Sequence, residues 1–389
     1  MLLNPMKKNR EKRLVIVSST GKMVKFFLVN HLKALSKEYK VFVICNLEKQ
    51  RDILNILPKN IKVVHMPIKR QISLLSDFVS LFRIVYFLYK NRITMIYSIS
   101  PKGGLLAAAS SWFLRVPVRV HVFTGQVWVT KRGFSRVLLK FLDRLISIFS
   151  TDVIVDSHSQ KRFLEEQKII KKDKALVIGN GSISGVNTKT FYPSKKIRDK
   201  IRFDFKTGES IVFLFVGRLK RDKGVFELIE AFNRVKEKNE CVELWLVGDD
   251  EEGVQNQVAS LGFNLDNVRF FGYVTNPEVY MQAADIFCLT SYREGFGSSV
   301  IEAAACKIPS IGSRIYGLTD AIVNKKSGLL VNVGDIDDIF SKMLLLCQNS
   351  TLRREMGEFA YINVISKFDA DRVTDQLSIF LRDRILKAD

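Results

Sequence analysis

The chain has 389 residues, of which 47% are hydrophobic and 26% charged. That is longer than one hydrophobic core ordinarily serves, so two domains are expected, and the lack of biased tracts or an internal period excludes a low-complexity scaffold and a repeat array. The formal net charge of +21 sits in one half: residues 1–190 carry 34 Lys and Arg against 11 Asp and Glu, and the remainder carries 27 against 29. Such asymmetry implies an anionic partner for the first half, whether nucleic acid, an acidic membrane surface or a phosphorylated substrate, unless it only keeps a basic face soluble.

In chain order, Lys7, Lys8, Arg10, Lys12 and Arg13 precede an apolar run of four residues, too short for the core of a secretion signal. Short β-rich segments follow at 13–18, 39–45, 61–66, 93–98, 116–123 and 151–157, separated by longer helical stretches. Continuous apolar strands alternating with helices predict a parallel sheet covered on both faces. The most apolar helical stretch, "FVSLFRIVYFLY", is cut by Arg83 and falls short of the roughly 20 residues a membrane span needs. Residues 131–149 place Arg132, Arg136, Lys140 and Arg144 on one helical stripe, with Phe134, Leu138, Phe141, Leu142, Leu145 and Phe149 largely away from it. A helix of this kind either lies in an anionic membrane interface or packs its apolar face on its own sheet, and residues 71–92 offer the same two readings.

A Gly/Ser/Asn-rich passage, "GNGSISGVNTKTFYPSKK", reads as a connector, after which strands recur at 210–217, 242–248, 268–272, 285–290, 309–313 and 327–332. The expected fold class is α/β, two Rossmann-like doubly wound parallel-sheet domains facing a cleft, with ligands at the carboxyl ends of the strands. Residues 1–190 form the first domain, 191–365 the second, and 366–389 a helix that packs back on the first. Cys45, Cys241, Cys288, Cys306 and Cys347 are odd in number, far apart and set in apolar runs, so reduced, buried thiols and a cytoplasmic location are expected. No pair of them has metal-site spacing.

The stretch "SYREGFGSSVIEAAACKIPSIGS" (291–313) sets Glu294 and Glu302 around a Gly/Ser-rich turn between a strand and a helix. Unpaired N–H groups and the helix dipole make such a turn suited to phosphate. Ser299-x-x-Glu302 also matches a capping box, in which Glu302 would only cap its own helix. "FVGRLKRDKGVFELIEAF" supplies Arg218 at a strand end and Lys223 before a helix, two cations that can converge on a pair of phosphates.

Together with "LWLVGDDEEG" and "VRFFGYV", these stretches resemble the retaining glycosyltransferases of family 4, whose two facing Rossmann-like domains form the arrangement called GT-B. Glu294 to Glu302 is similar to that family's E-x7-E element. The resemblance implies that Glu294 contacts donor-sugar hydroxyls, Glu302 the ribose hydroxyls, and Arg218 and Lys223 the diphosphate, joined by backbone N–H groups around Phe296, Gly297 and Ser298. Tyr273 and Val274 stand where the family accommodates the base, or else only close a strand on the core. "SISPKGGLLAAASSWFLRVPVRVHVFTGQVWV" resembles the part of bacterial members that build surface glycans on polyprenyl diphosphate, and His121 and Gly125 fit their VH-x-x-x-G-like element, which implies that His121 is an active-site histidine whose region lines the donor sugar. Gly21 matches the loop approaching the donor diphosphate, where Lys22 adds charge.

The acidic run Asp249, Asp250, Glu251 and Glu252 fits the family's loop after a strand better than a metal site, and no metal cofactor is expected. Asp320 lies in a loop that faces the site in relatives, or caps a helix. The implied activity is transfer of a hexose or N-acetylhexosamine from a nucleotide sugar, UDP-linked, to a polyprenyl-diphosphate-linked glycan. The first domain would meet the acceptor and an anionic membrane on the cytoplasmic side. Two alternatives remain: a nucleotide-sugar epimerase of the same fold, and a non-catalytic nucleic-acid-binding protein suggested by a pI near 9.7. The second lacks any RNA-binding motif or aromatic-interleaved basic stretch.

Overall fold

The computed structural model describes residues 12–47, 53–68 and 73–388. The first unit runs β1 (Arg13–Ser18), α1 (Gly21–Phe27), α2 (Val29–Leu35), β2 (Lys40–Cys45), α3 (Ile53–Ile56), β3 (Lys62–His65), α4 (Leu74–Lys90), β4 (Met95–Ile99), α5 (Pro101–Phe113), β5 (Val118–Phe123), α6 (Gly133–Phe149), β6 (Asp152–Val155), α7 (His158–Glu166) and β7 (Ala175–Val177). The second runs α8 (Lys195–Asp204), β8 (Ile211–Val216), α9 (Val225–Lys236), β9 (Val242–Val247), α10 (Val254–Ser260), β10 (Val268–Gly272), α11 (Pro277–Ala283), β11 (Ile286–Leu289), α12 (Ser298–Ala305), β12 (Ser310–Ser313), α13 (Leu318–Ala321), β13 (Gly328–Val331), α14 (Ile336–Gln348) and α15 (Ser350–Lys367). A last helix, α16 (Ala370–Leu386), returns to the first unit.

Both sheets are parallel, in the orders β3-β2-β1-β4-β5-β6-β7 and β10-β9-β8-β11-β12-β13. Each order reverses beside its first strand, the topology of a doubly wound sheet. The central strands are apolar on both faces because helices cover both: all six residues of β9 are buried. Even Glu243 there is inside, and its carboxylate accepts from Trp245 Nε1 at 2.7 Å and pairs with Arg269 at 2.9 Å, as burial of a charge demands.

In the first unit, α4 to α7 cover one face through Ile84, Leu88, Leu106, Ile146 and Leu164. The other face is covered by α1 to α3 and by α16, whose Leu377, Leu381 and Ile385 join the cluster of β1, β2 and β4. His31 of α2 ties this side together: its Nε2 meets Ile183 O at 2.6 Å in the connector and its Nδ1 meets Thr374 Oγ1 at 2.9 Å in α16. Desolvation lowers that imidazole to about 4, so it stays neutral.

The structure corrects two expectations. A thirteenth strand, β7, follows the Lys-rich "KKDK", whose charge hides a three-residue strand. Cys241 is exposed because it lies one residue before β9, whereas the other four cysteines are buried. The helix α6 buries Asp143, Ile146 and Ser147 and packs Leu139 and Phe149 against the same cluster, so only part of its apolar face meets the sheet. Phe134, Val137, Phe141 and Ile148 are exposed, and the basic stripe is divided: Arg132 and Arg136 are exposed, while Lys140 is bonded to Gln167 at 2.9 Å and Arg144 to Lys168 O at 2.8 Å. No helix among the described residues is long and apolar enough to cross a membrane.

Candidate active site

Loops at the carboxyl ends of the two sheets meet in one cleft. On the second-domain side, the segment after β8 makes one 3-10 turn, Arg221–Lys223, and stops at Gly224 in the left-handed region (φ 68°). A Cβ at Gly224 would lie 2.1 Å from Thr290 O, so only glycine lets this segment close on the loop after β11. Thr290 Oγ1 donates to Gly224 O at 2.9 Å, Tyr292 N–H to Asp222 O at 3.0 Å, and Arg293 pairs with Asp222 at 2.8 Å.

This lacing sets Lys223 Nζ 2.5 Å from Glu294 Oε1, which also accepts from Ser291 Oγ at 2.7 Å. Both charged side chains are largely buried. Arg218 is held differently: its Nη1 meets Glu251 at 3.1 Å, and Lys220 meets the same carboxylate at 3.3 Å. The two cations expected to converge are thus each partnered by a carboxylate, one by the expected Glu294 and the other by a residue of the acidic run.

Glu302 is not a capping residue. The N-cap of α12 is Gly297, left-handed at φ 84°, without a side-chain cap bond, so the third helical residue is Val300 and Glu302 lies a full turn in. Its side chain keeps a partial opening, yet desolvation and then the charge of Glu278 raise its carboxyl to about 7. Phe296 is buried against Phe368, which leaves its backbone and those of Gly297 and Ser298 to line the turn. Tyr273 is half exposed, while Val274 packs on the second-domain core.

From the first domain, Thr20 caps α1 and Gly21 is buried behind it, its N–H donating to Asn46 O at 3.2 Å. Lys22 reaches across to Asp249 at 4.0 Å and lies 5.6 Å from the Tyr273 ring centre. His121, fourth residue of β5, is 1% exposed, pairs with Ser98 Oγ at 2.9 Å and packs so tightly under α5 that a Cβ on Gly104 would fall 2.2 Å from its ring. Desolvation lowers it to about 3, a neutral imidazole. It is therefore set beneath the strand end rather than at the cleft surface, and the loop that follows, Thr124–Gln126, makes the contact.

There a Cβ on Gly125 would stand 3.0 Å from the Glu294 carbonyl carbon and the Gly295 nitrogen. A Cβ on Gly295 would stand 2.5 Å from Asp156 Oδ2, and one on Gly317 2.3 Å from Gly295 O. Asp156, at the end of β6, is buried, and desolvation raises its carboxyl to about 8 against the opposing hydrogen bond from Ile183 N–H. Asp320 caps a helix, but not its own: its carboxylate accepts from the N–H and Oγ of Ser159, the second residue of α7 in the other domain. Gly317 N–H donates to Ser159 Oγ at 2.8 Å and Gln126 N–H to the Tyr316 hydroxyl at 3.3 Å. The motif reading missed Asp156, Ser159 and Tyr316. Asp156 alone left a signal, a carboxylate directly after the strand "DVIV".

Residues 197–362 match the model of the family described as Glycosyl transferases group 1. The chain is a GT-B glycosyltransferase. It is 28% identical to the capsular polysaccharide biosynthesis glycosyltransferase CapM of Staphylococcus aureus, over 81% of this chain and 84% of that one. It is also 28% identical to the N,N'-diacetylbacillosaminyl-diphospho-undecaprenol alpha-1,3-N-acetylgalactosaminyltransferase of Campylobacter jejuni, over 96% of this chain and 99% of that one. Among solved structures, Anabaena HepE in complex with UDP and glucose superimposes with a TM-score of 0.80 at 20% identity, over 96% of this glycosyltransferase and 100% of HepE, and so shares its fold.

The close approach at Gly295 yields a test. Gly295→Ala pushes the seam apart by driving a methyl into Asp156 and is expected to lower turnover about a hundredfold, the order that a 1 Å misplacement brings. Adding Asp156→Ala, which vacates that space, restores part of the loss. Equal turnover in wild type and Gly295→Ala refutes the dependence on this seam.

Proposed function

We propose that this glycosyltransferase moves a hexose or N-acetylhexosamine residue from a UDP-sugar to a polyprenyl-diphosphate-linked glycan, in capsule or other surface-glycan synthesis, with retention at the anomeric carbon. The observation that carries the reading is the Lys223–Glu294 pair at 2.5 Å, inside the segment that matches the transferase family. The Campylobacter relative, named for a diphospho-undecaprenol acceptor, supports the acceptor class. An Escherichia coli relative, 24% identical over 89% of this chain, is named as a UDP-Gal:alpha-D-GlcNAc-diphosphoundecaprenol alpha-1,3-galactosyltransferase and supports both the acceptor class and the UDP donor.

On this reading Lys223 turns from Glu294 to the donor diphosphate, and Glu294, released, accepts from hydroxyls of the sugar. Ionised carboxylates are strong acceptors for diols, so Glu302 takes the ribose hydroxyls and Tyr273 and Val274 border the base. The anomeric C–O bond to phosphate breaks as the acceptor oxygen bonds on the same face, and the acceptor proton passes to the leaving phosphate oxygen. Arg218, Lys223 and the N–H groups of Phe296, Gly297 and Ser298, rather than a metal ion, meet the charge that builds there. Gly21 and Lys22 border the diphosphate from the first domain, and His121 supports the Gly125 loop at the sugar.

The first domain also carries the membrane proposal. Leu75, Phe78, Phe82 and Tyr86 of α4, Trp112 and Phe113 of α5, and Phe134, Val137 and Phe141 of α6 are all exposed on neighbouring helices. An apolar band of this extent on a strongly basic half fits an anionic lipid surface, where a lipid-linked acceptor resides. Flotation with anionic vesicles, lost on Phe134→Asp with Phe141→Asp, is the expected behaviour; unaltered flotation removes α6 from the contact.

Radiolabelled UDP-, GDP- and dTDP-sugars, incubated with purified protein with and without membrane lipid extract, test the activity. Label entering the organic phase from a UDP-sugar supports the proposal, and conversion to a new sugar nucleotide without lipid favours an epimerase. Inertness towards every donor overturns it. Lys223→Ala is expected to lower turnover about a hundred- to a thousandfold with a far smaller effect on the unfolding midpoint.

A pH effect follows from Glu302. Its carboxyl, raised to about 7, is protonated below that value and accepts the ribose diol best above it. Donor KM should therefore fall as pH rises from about 6 to about 8, and Glu302→Gln should flatten this dependence. A wild-type KM independent of pH across that range removes Glu302 from the ribose.

A further inference from the structure

Asp249, Asp250, Glu251 and Glu252 follow β9, and the structure divides them by role. Asp250 turns inward and accepts from the N–H groups of Val254 and Gln255 at 2.7 and 3.1 Å. The other three face cations. Glu251 holds Arg218 at 3.1 Å and Lys220 at 3.3 Å, Glu252 holds Lys220 at 3.3 Å and the Arg221 N–H at 2.9 Å, and Asp249 stands 4.0 Å from Lys22 of the opposite domain.

The backbone fixes this arrangement. Leu219 N–H donates to Asp249 O at 2.9 Å, and Leu219 and Asp250 form an isolated parallel bridge that carries the β8–β9 pairing into the two loops. A Cβ on Gly248 would fall 1.8 Å from Gly217 O, so the loops run backbone to backbone and the acidic side chains are delivered to the Arg218 side of the cleft.

We propose that Glu251, with Asp249 beside it, is a resident counter-ion that exchanges with the donor diphosphate. Arg218 leaves Glu251 when the nucleotide sugar enters and returns to it when the nucleoside diphosphate departs. The inference rests on the reading of Arg218 as a diphosphate ligand. It follows from relative strengths: the Arg218–Glu251 pair is partly solvated, 39% and 25% exposed, and such pairs are weak, whereas a diphosphate offers Arg218 more negative charge and several acceptor oxygens. No bond is made or broken in the exchange. Its effect is to lower affinity for donor and product together and to hasten product release.

The test is titration of UDP and of inorganic diphosphate into the full chain, by calorimetry, for wild type, Glu251→Gln, Glu252→Gln, Arg218→Ala and Arg218→Ala with Glu251→Gln. Glu251→Gln should bind both probes about three- to fivefold more tightly, the range that loss of one exposed ion-pair competitor allows. Glu252→Gln, whose carboxylate is engaged by Lys220 and the Arg221 N–H, should change them less, and Glu251→Gln should gain nothing once Arg218 is Ala. If Arg218→Ala weakens binding but Glu251→Gln does not strengthen it, the exchange is wrong and the diphosphate role stands. If Arg218→Ala binds both probes like wild type, or wild type binds neither, the role of Arg218 falls and the exchange with it. Equal gains from Glu251→Gln and Glu252→Gln, or a gain that survives in Arg218→Ala, show a general field effect and also overturn the exchange.

Discussion

Glu294 stands where it does because three backbones meet beside it. Gly125 of the first domain, Gly295 and Gly317 approach so closely that a methyl on any of them would collide with backbone or, at Gly295, also with the Asp156 carboxyl. Interiors this tightly packed do not deform smoothly, so the carboxylate loop has one seat, and half of that seat belongs to the other domain. The polar contacts around it lie at the same level: Ser159 with Asp320, Gln126 N–H with Tyr316. Placement of the Glu294 loop and approach of the domains are therefore a single structural event.

The electrostatics of the cleft are built on the same economy. Lys223, Arg218, Lys220 and Lys22 surround the space between the sheets, and each has a carboxylate nearby from the loops after β9 or β11. An unopposed group of four cations would destabilise the closed arrangement by mutual repulsion. Glu251 and Asp249, only partly buried, relieve that repulsion through weak, partly solvated pairs, whereas Glu294 meets Lys223 where both are largely buried.

How much of this was legible depends on range. Twelve strands and the alternation that makes two doubly wound sheets follow from local periodicity, and β7 escaped because three residues beside a Lys-rich turn have no period to read. Glu294 and Lys223 were legible as residue types in strand–loop–helix units. Glu302 was ambiguous because Ser299-x-x-Glu302 spells a capping box, and only the left-handed Gly297 shows that the helix begins too early for it to form. The pairing of Arg218 with Glu251 and of Ser159 with Asp320 joins loops separated along the chain, and nothing in either loop names its partner. Asp156 and Tyr316 acquire meaning only when the two domains are set side by side.

The helix α6 shows the same limit, since a hydrophobic stripe reveals that two faces differ but not which one turns inward. Its basic stripe lies over Trp128, with Lys140 Nζ 5.2 Å from the ring centre, and Asp143 accepts from Trp128 Nε1 at 2.8 Å. Trp128 stacks on Phe163 at 5.4 Å, and Phe163 stacks on Tyr316 at 4.4 Å. Tyr316 in turn precedes Gly317, which touches Gly295. Rings stacked in series, with Trp128 buried at one end, resist both tilt and separation. The exposed helix α6 and the Glu294 loop are thus joined by one continuous column of packing, which fixes their orientation relative to each other without any additional element.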